Sequence, residues 1–83
     1  MKILYFAWLR SSLGKSEETI TLPEEVTHLN DLVDWLKKRG PEFEKAFSDM
    51  STVRIALNQE YVTDNPVLNG DEEIAFFPPV TGG

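Results

Sequence analysis

Cysteine is absent from the 83-residue chain. That removes a disulfide scaffold, a thiolate metal site and a cysteine nucleophile together. Histidine occurs once, as His28, beside the start of an expected helix. A Ser/His/Asp triad therefore lacks a positioned base, and His28 reads as a surface or capping residue. The five glycines, at 14, 40, 70, 82 and 83, never cluster ahead of a helix, so no phosphate-cradling loop is present. Long apolar runs are also missing. The longest, Ile3 to Leu9, is far short of the roughly 20 residues a membrane span needs. It follows Lys2 as a signal peptide would, but Arg10 interrupts it and no small-residue cleavage site follows. The chain reads as one small cytoplasmic domain, with about 60–65% of its extended surface hidden on folding.

Positive charge is scarce as well. Eight Lys and Arg stand against fourteen Asp and Glu, for a net charge of −6. Residues 1–40 hold six of each sign, so the surplus lies wholly in residues 41–83, where eight acids face only Lys45 and Arg54. Such a surface repels nucleic acid and anionic lipid, and is steered toward a basic protein surface.

What the chain does contain alternates in a legible way. Ile3 to Leu9 is rich in strand formers and apolar on both sides of a period-2 pattern, which suits a central strand. Ser11, Ser12 and Gly14 predict a turn, and Glu17 to Leu22 a second strand, with Ile20 and Leu22 inward and Pro23 ending it. Thr27 is the expected N-cap of a helix whose stripe is Leu29, Leu32, Val33 and Leu36. Lys37, Lys38 and Arg39 suit its last turn, Gly40 closes it in the left-handed role, and Pro41 opens a short second helix with Phe43 and Phe47 on one face. Val53 to Leu57 predicts a third strand, Asn58-Gln59-Glu60 a tight connection and Tyr61-Val62 a short strand. Asn69-Gly70 is a turn whose glycine needs positive φ, and Glu73 to Phe77 is the last strand. A ββαββ order with strands at both ends implies an α+β mixed sheet, one face covered by the main helix.

The interior offers little chemistry. Asp71-Glu72-Glu73 reads as a solvated turn and strand edge, not a cation site, because neighbours on a strand point to opposite faces. Lys37-Lys38-Arg39 complements the helix dipole without needing a ligand. Trp8 and Trp35 read as packing residues. No metal or cofactor is expected on this chain.

The C-terminal end differs. Phe76-Phe77-Pro78-Pro79-Val80-Thr81-Gly82-Gly83 places two prolines where a sheet ladder cannot continue, so residues 1–77 read as the domain and 78–83 as an extended tail. From Pro78 to Gly83 the tail can reach on the order of 20 Å. Two residues without side chains can bring a terminal carboxylate down a channel only as wide as backbone. A carboxylate with a pKa near 3.5 is ionised at neutral pH and is no electrophile, so acyl chemistry there requires activation, most simply as an adenylate. With no nucleotide site on this chain, a second protein must supply ATP.

These residues resemble the small, sulfur-carrying subunits of molybdopterin synthase, in the ubiquitin-like β-grasp superfamily. The likeness rests on Phe6-Ala7-Trp8-Leu9-Arg10 with Gly14, on Leu57-Asn58-Gln59, and on the run from Leu68 to Gly83. It implies that an adenylating enzyme of the ubiquitin-activating type activates the Gly83 carboxylate with ATP and that a sulfur donor converts it to a thiocarboxylate. The loaded tail then enters the large synthase subunit, where sulfur passes to cyclic pyranopterin monophosphate in molybdenum cofactor biosynthesis. In that picture Gly83 reacts, Gly82 allows close approach, and Val80, Thr81, Pro78 and Pro79 guide the tail, while Phe76 or Phe77 anchors it on the partner. The alternatives are a thiamin-type sulfur carrier, a ubiquitin-like protein modifier and an interaction module with an inert tail.

Overall fold

The structure, a computed structural model, describes residues 1–79. The strands are β1 (Lys2–Tyr5), β2 (Glu17–Thr19), β3 (Arg54–Leu57), β4 (Glu60–Val62) and β5 (Glu73–Phe77); the helices are α1 (Trp8–Leu13), α2 (Leu29–Lys37) and α3 (Pro41–Ala46), with a single 3-10 turn at Met50–Thr52. The strands form one mixed sheet in the order β2-β1-β5-β3-β4. The last strand is therefore the central one. It runs parallel to β1, with Tyr5 opposite Phe76, and antiparallel to β3, with Arg54 opposite Phe77.

One face of this sheet carries the core. Ile3 and Tyr5 of β1 and Ile74 and Phe76 of β5 pack against Leu29, Leu32, Val33 and Leu36 of α2 and against Phe43 and Phe47, all of them buried. The i, i+3, i+4, i+7 stripe thus does what its spacing dictates. Each fully buried aliphatic or aromatic side chain contributes roughly 1.5–3 kcal/mol toward burial, so the core is concentrated where the sheet's centre meets α2.

Four local expectations need correction. The first strand stops at Tyr5, because Ala7 turns the chain at φ 55° and Leu9 and Leu13, four residues apart, are the buried side chains of a helix. The dense apolar run hid this change from period 2 to period 3.6. Gly14 then ends α1 in the left-handed region at φ 74°, donating its N–H to the Arg10 carbonyl. The second strand is shorter than expected: it ends at Thr19, and the Ile20 N–H reaches the Met1 carbonyl just beyond it. The helix N-cap is His28, not Thr27, and the acid three positions on is Asp31, whose carboxylate accepts the His28 N–H at 3.0 Å and the Thr27 hydroxyl at 3.0 Å. Gly40 does not close α2 in a left-handed conformation; its φ of 164° is extended and it serves as N-cap to α3, ahead of Pro41. The two-residue turn at Asn58-Gln59 has positive φ at both positions, 50° and 70°, which matches the twist of the β3-β4 hairpin. Gly70, at φ 103°, is positive as its turn requires.

Candidate functional site

The tail leaves the sheet from its middle. Along β5 the side chains alternate, so Phe76 points into the core and Phe77 onto the other face. Phe76 is completely buried; its ring stacks on Tyr5 at 6.0 Å between centroids and meets Phe47 edge-on at 5.0 Å. It is a core residue and has no surface to offer a partner, which corrects its assignment as a docking anchor. Phe77 is half-buried, and its ring meets that of Tyr61 edge-on at 5.5 Å. Pro78 and Pro79 follow outside any strand. Val80, Thr81, Gly82 and Gly83, the other expected tail residues, lie outside the described residues.

The face that Phe77 joins has no helix over it among the described residues. In register across the sheet it presents Leu4, Ala75, Ala56 and Tyr61 in one row. The next row, nearest the tail, holds Phe77 and Arg54. Phe6 donates its N–H to the Phe76 carbonyl at 3.0 Å, which sets it beside Phe77. Phe6 is 46% exposed and Tyr61 66%. Exposed Tyr61, in ring contact with Phe77, makes an aromatic patch of the kind that marks interaction sites on small domains. In the sequence Phe6 stood out only within the run that carries the family likeness and Tyr61 only as a strand residue, although a first strand apolar on both faces was the available signal: Ile3 and Tyr5 feed the core while Leu4 alternates to the bare face.

The far end of β5 is held by a carboxylate. Glu72 is buried, not part of a solvated edge, and accepts the N–H groups of Asn69 at 2.6 Å and Gly70 at 2.8 Å. Burial pushes its carboxyl upward, but the N–H groups of Asn69 and Gly70 and those of Glu72 and Asp71 outweigh that and hold it below the ordinary glutamate range. The Glu72 carbonyl also accepts the Lys2 N–H at 3.1 Å. Glu72 thus fixes where β5 begins beside β1, and so where the tail departs.

The basic run at the end of α2 also has a structural task. Arg39 donates to Glu18 at 2.8 Å and lies 4.8 Å from the centre of the Phe43 ring and 5.3 Å from that of Trp35. Glu18 in turn accepts the Tyr5 hydroxyl at 2.6 Å. Burial raises the Tyr5 pKa above the usual tyrosine range, reinforced by that carboxylate; burial alone would also raise Glu18, but Arg39, Tyr5 and Lys15 together lower it. Trp8 departs from its reading as a packing residue: it is 38% exposed and lines a surface groove with Ser12, Glu42, Lys45 and Ala46. Among the described residues no group of three or more His, Cys, Asp or Glu is arranged to hold a metal ion, and no helix is long and apolar enough to cross a membrane.

A mixed sheet wrapped on one main helix, with a central C-terminal strand that runs out beside a bare apolar face, defines the ubiquitin-like β-grasp class. Residues 3–83 match the ThiS family, and the chain belongs to that family. It is similar to the molybdopterin synthase sulfur carrier subunits of Chlamydomonas reinhardtii, 38% identical over the whole chain and 98% of the relative, and of Homo sapiens, 33% identical over the whole chain and 93% of the relative. The corresponding Escherichia coli subunit is 32% identical over the whole chain and 99% of its own length. Among solved structures, molybdopterin converting factor subunit 1 from Pyrococcus furiosus superposes with a TM-score of 0.76 at 36% identity, covering 95% of both chains. SAMP1 from Haloferax volcanii does so with a TM-score of 0.76 at 26% identity, covering all of this chain and 98% of its own.

Proposed function

We propose that this chain is the sulfur carrier subunit of molybdopterin synthase and that its reacting group is the Gly83 carboxylate. An adenylating enzyme of the ubiquitin-activating type joins that carboxylate to AMP from ATP, releasing pyrophosphate. A sulfur donor displaces AMP and leaves a thiocarboxylate. The loaded tail enters the large synthase subunit and gives its sulfur to cyclic pyranopterin monophosphate. This chain supplies no catalytic side chain and holds no cofactor; it holds the tail, and the partner enzymes hold ATP and the pterin. The work is placed in the cytoplasm.

The observation that carries this reading is the course of β5. A central strand, anchored by Phe76 inside and by Glu72 at its start, delivers Phe77-Pro78-Pro79 to the edge of a bare apolar face. The two prolines cannot extend the ladder, so the strand ends beside the surface on which a partner would rest, formed by Phe6, Tyr61 and Phe77. The sulfur carrier names borne by relatives that match the full chain support the same assignment.

Intact mass spectrometry after incubation with ATP, the adenylating enzyme and the sulfur donor tests it. The expected change is the mass difference of one oxygen exchanged for one sulfur, localised to Gly83. An unchanged mass, under conditions where a known carrier is converted, refutes the assignment. Ladders of conjugates on other proteins in its place identify a protein modifier.

A further inference from the structure

Among the described residues, Arg54 has no ion-pair partner on the bare face. At the opposite end of that face a lysine and two acids stand together: Lys2 lies 3.4 Å from Glu17, and Glu73 is the cross-strand neighbour of Lys2. In the row nearest the tail, Arg54 is directly opposite Phe77. Among the described residues its guanidinium donates only to the Ser51 carbonyl, at 3.3 Å, and no carboxylate lies within ion-pair distance of it. The nearest acid in sequence, Asp49, turns its carboxylate onto the Ser51 N–H at 3.1 Å.

A partner that covers Phe77 must also cover Arg54, because paired residues on adjacent strands lie about 5 Å apart. Arginine stays charged at any pH a folded protein meets, and it cannot shed that charge when water is stripped away. A covering surface without an anion would leave a guanidinium desolvated and unpaired, which is strongly unfavourable. A carboxylate in that position instead makes a bidentate, charge-assisted pair.

We infer that Arg54 is a specificity-determining contact: the partner resting on Phe6, Tyr61 and Phe77 presents an apolar patch with a carboxylate set against this guanidinium. The local demand is opposite in sign to that of the whole chain, whose charge of −6 favours a basic partner. Long-range attraction and local registration are therefore set by different residues. A basic surface is drawn in from a distance, and only one with an acid at the right place seats beside the tail. The inference rests on the carrier function, since it takes the large synthase subunit to be the partner.

The test is a titration of the large synthase subunit from the same organism with the wild-type chain and with Arg54→Glu, Arg54→Ala, Arg54→Lys and Phe77→Ala, at low and high salt. Arg54→Glu is expected to weaken binding by about tenfold or more, Arg54→Ala by less, and Arg54→Lys least. The affinity of Arg54→Ala falls less steeply with salt than that of the wild type if the pair exists. Circular dichroism melts of the four variants identify any loss that comes from unfolding. If Phe77→Ala weakens binding while Arg54→Glu binds as well as wild type or better, Arg54 has no such partner and the inference is overturned, with the carrier function intact. If wild type does not bind at all, the carrier function fails first and this inference falls with it.

Discussion

Replacing Phe76 and Phe77 one at a time separates folding from docking at adjacent positions. Phe76 has no exposed surface and touches the rings of both Tyr5 and Phe47. Truncation to alanine leaves a cavity in a close-packed interior and costs about 3–5 kcal/mol. An 83-residue domain has only about 4–12 kcal/mol to lose, at roughly 0.05–0.15 kcal/mol per residue. Phe76→Ala should therefore lower the melting temperature by at least about 12 °C, at roughly 4 °C or more per kcal/mol, or leave the chain unfolded. Phe76→Leu, which keeps most of the volume, gives a measurable value if alanine does not. Phe77 is half-buried and its ring contact is with exposed Tyr61. Its truncation costs about 1 kcal/mol or less in stability while weakening the large subunit's grip by roughly tenfold, as loss of a central aromatic contact does. Urea denaturation and a binding titration on the same preparations read both numbers. Equal stability losses at the two positions, or a Phe76→Ala protein that melts like wild type, would show that the inside-outside alternation of β5 has been misassigned.

Two further outcomes follow from the same geometry. Glu72→Ala removes the acceptor for the Asn69 and Gly70 N–H groups and should cost about 1–3 kcal/mol at neutral pH by urea denaturation. Because the folded-state pKa of Glu72 lies below its ordinary value of 4.5, its contribution is present above that value and disappears as the pH falls through the folded pKa. Glu72→Gln should accordingly flatten the acid limb of the stability curve below about pH 4.5, and an unchanged limb contradicts the assignment. Removal of Gly83 should leave the thermal melt unchanged and abolish sulfur transfer in a reconstituted synthase; retained transfer shows that the reacting group lies elsewhere.

The parts of this fold legible in the sequence are those where one period runs unbroken. The Leu29-Leu32-Val33-Leu36 stripe, the Val53 to Leu57 alternation, the Asn69-Gly70 turn and the Glu73 to Phe77 strand all lie where their patterns place them. The segment from Ile3 to Leu13 was not legible, because a strand passes into a helix within a run of apolar residues and the hinge is Ala7, a residue with no turn signature. At the site, the end of the last strand was legible from Pro78 and Pro79, which follow β5 outside any strand. Phe6 and Tyr61 were not, since their placement comes from sheet order: β1 and β5 lie side by side, and β5 and β3 stand between β1 and the β4 strand that carries Tyr61. Phe76 and Phe77 are alike as letters, and only the register shows which of them the core takes. Glu72 looked like one of three exposed acids, because the backbone N–H groups that hold it leave no trace in side-chain composition.

The domain's contribution to sulfur delivery can be isolated with a peptide. Ordering each tail residue in a backbone-wide channel costs about 1–2 kcal/mol, so the last four residues alone oppose entry by roughly 4–8 kcal/mol. Glycine, the slimmest residue, loses the most conformational freedom, and it occupies both terminal positions. The compensating affinity must come from a surface that is rigid before it docks. The surface proposed for this is Phe6, just past β1, with Arg54, Tyr61 and Phe77 on β3, β4 and β5. A synthetic peptide with the sequence of residues 77–83 lacks Phe6, Tyr61 and Arg54 and must order itself from a free chain. It should compete with the intact protein for the large subunit at least about a hundredfold less well, a gap of roughly 2.7 kcal/mol. Comparable competition by peptide and protein would mean that the tail docks by its own contacts, leaving the bare face of the sheet without a part in the transfer.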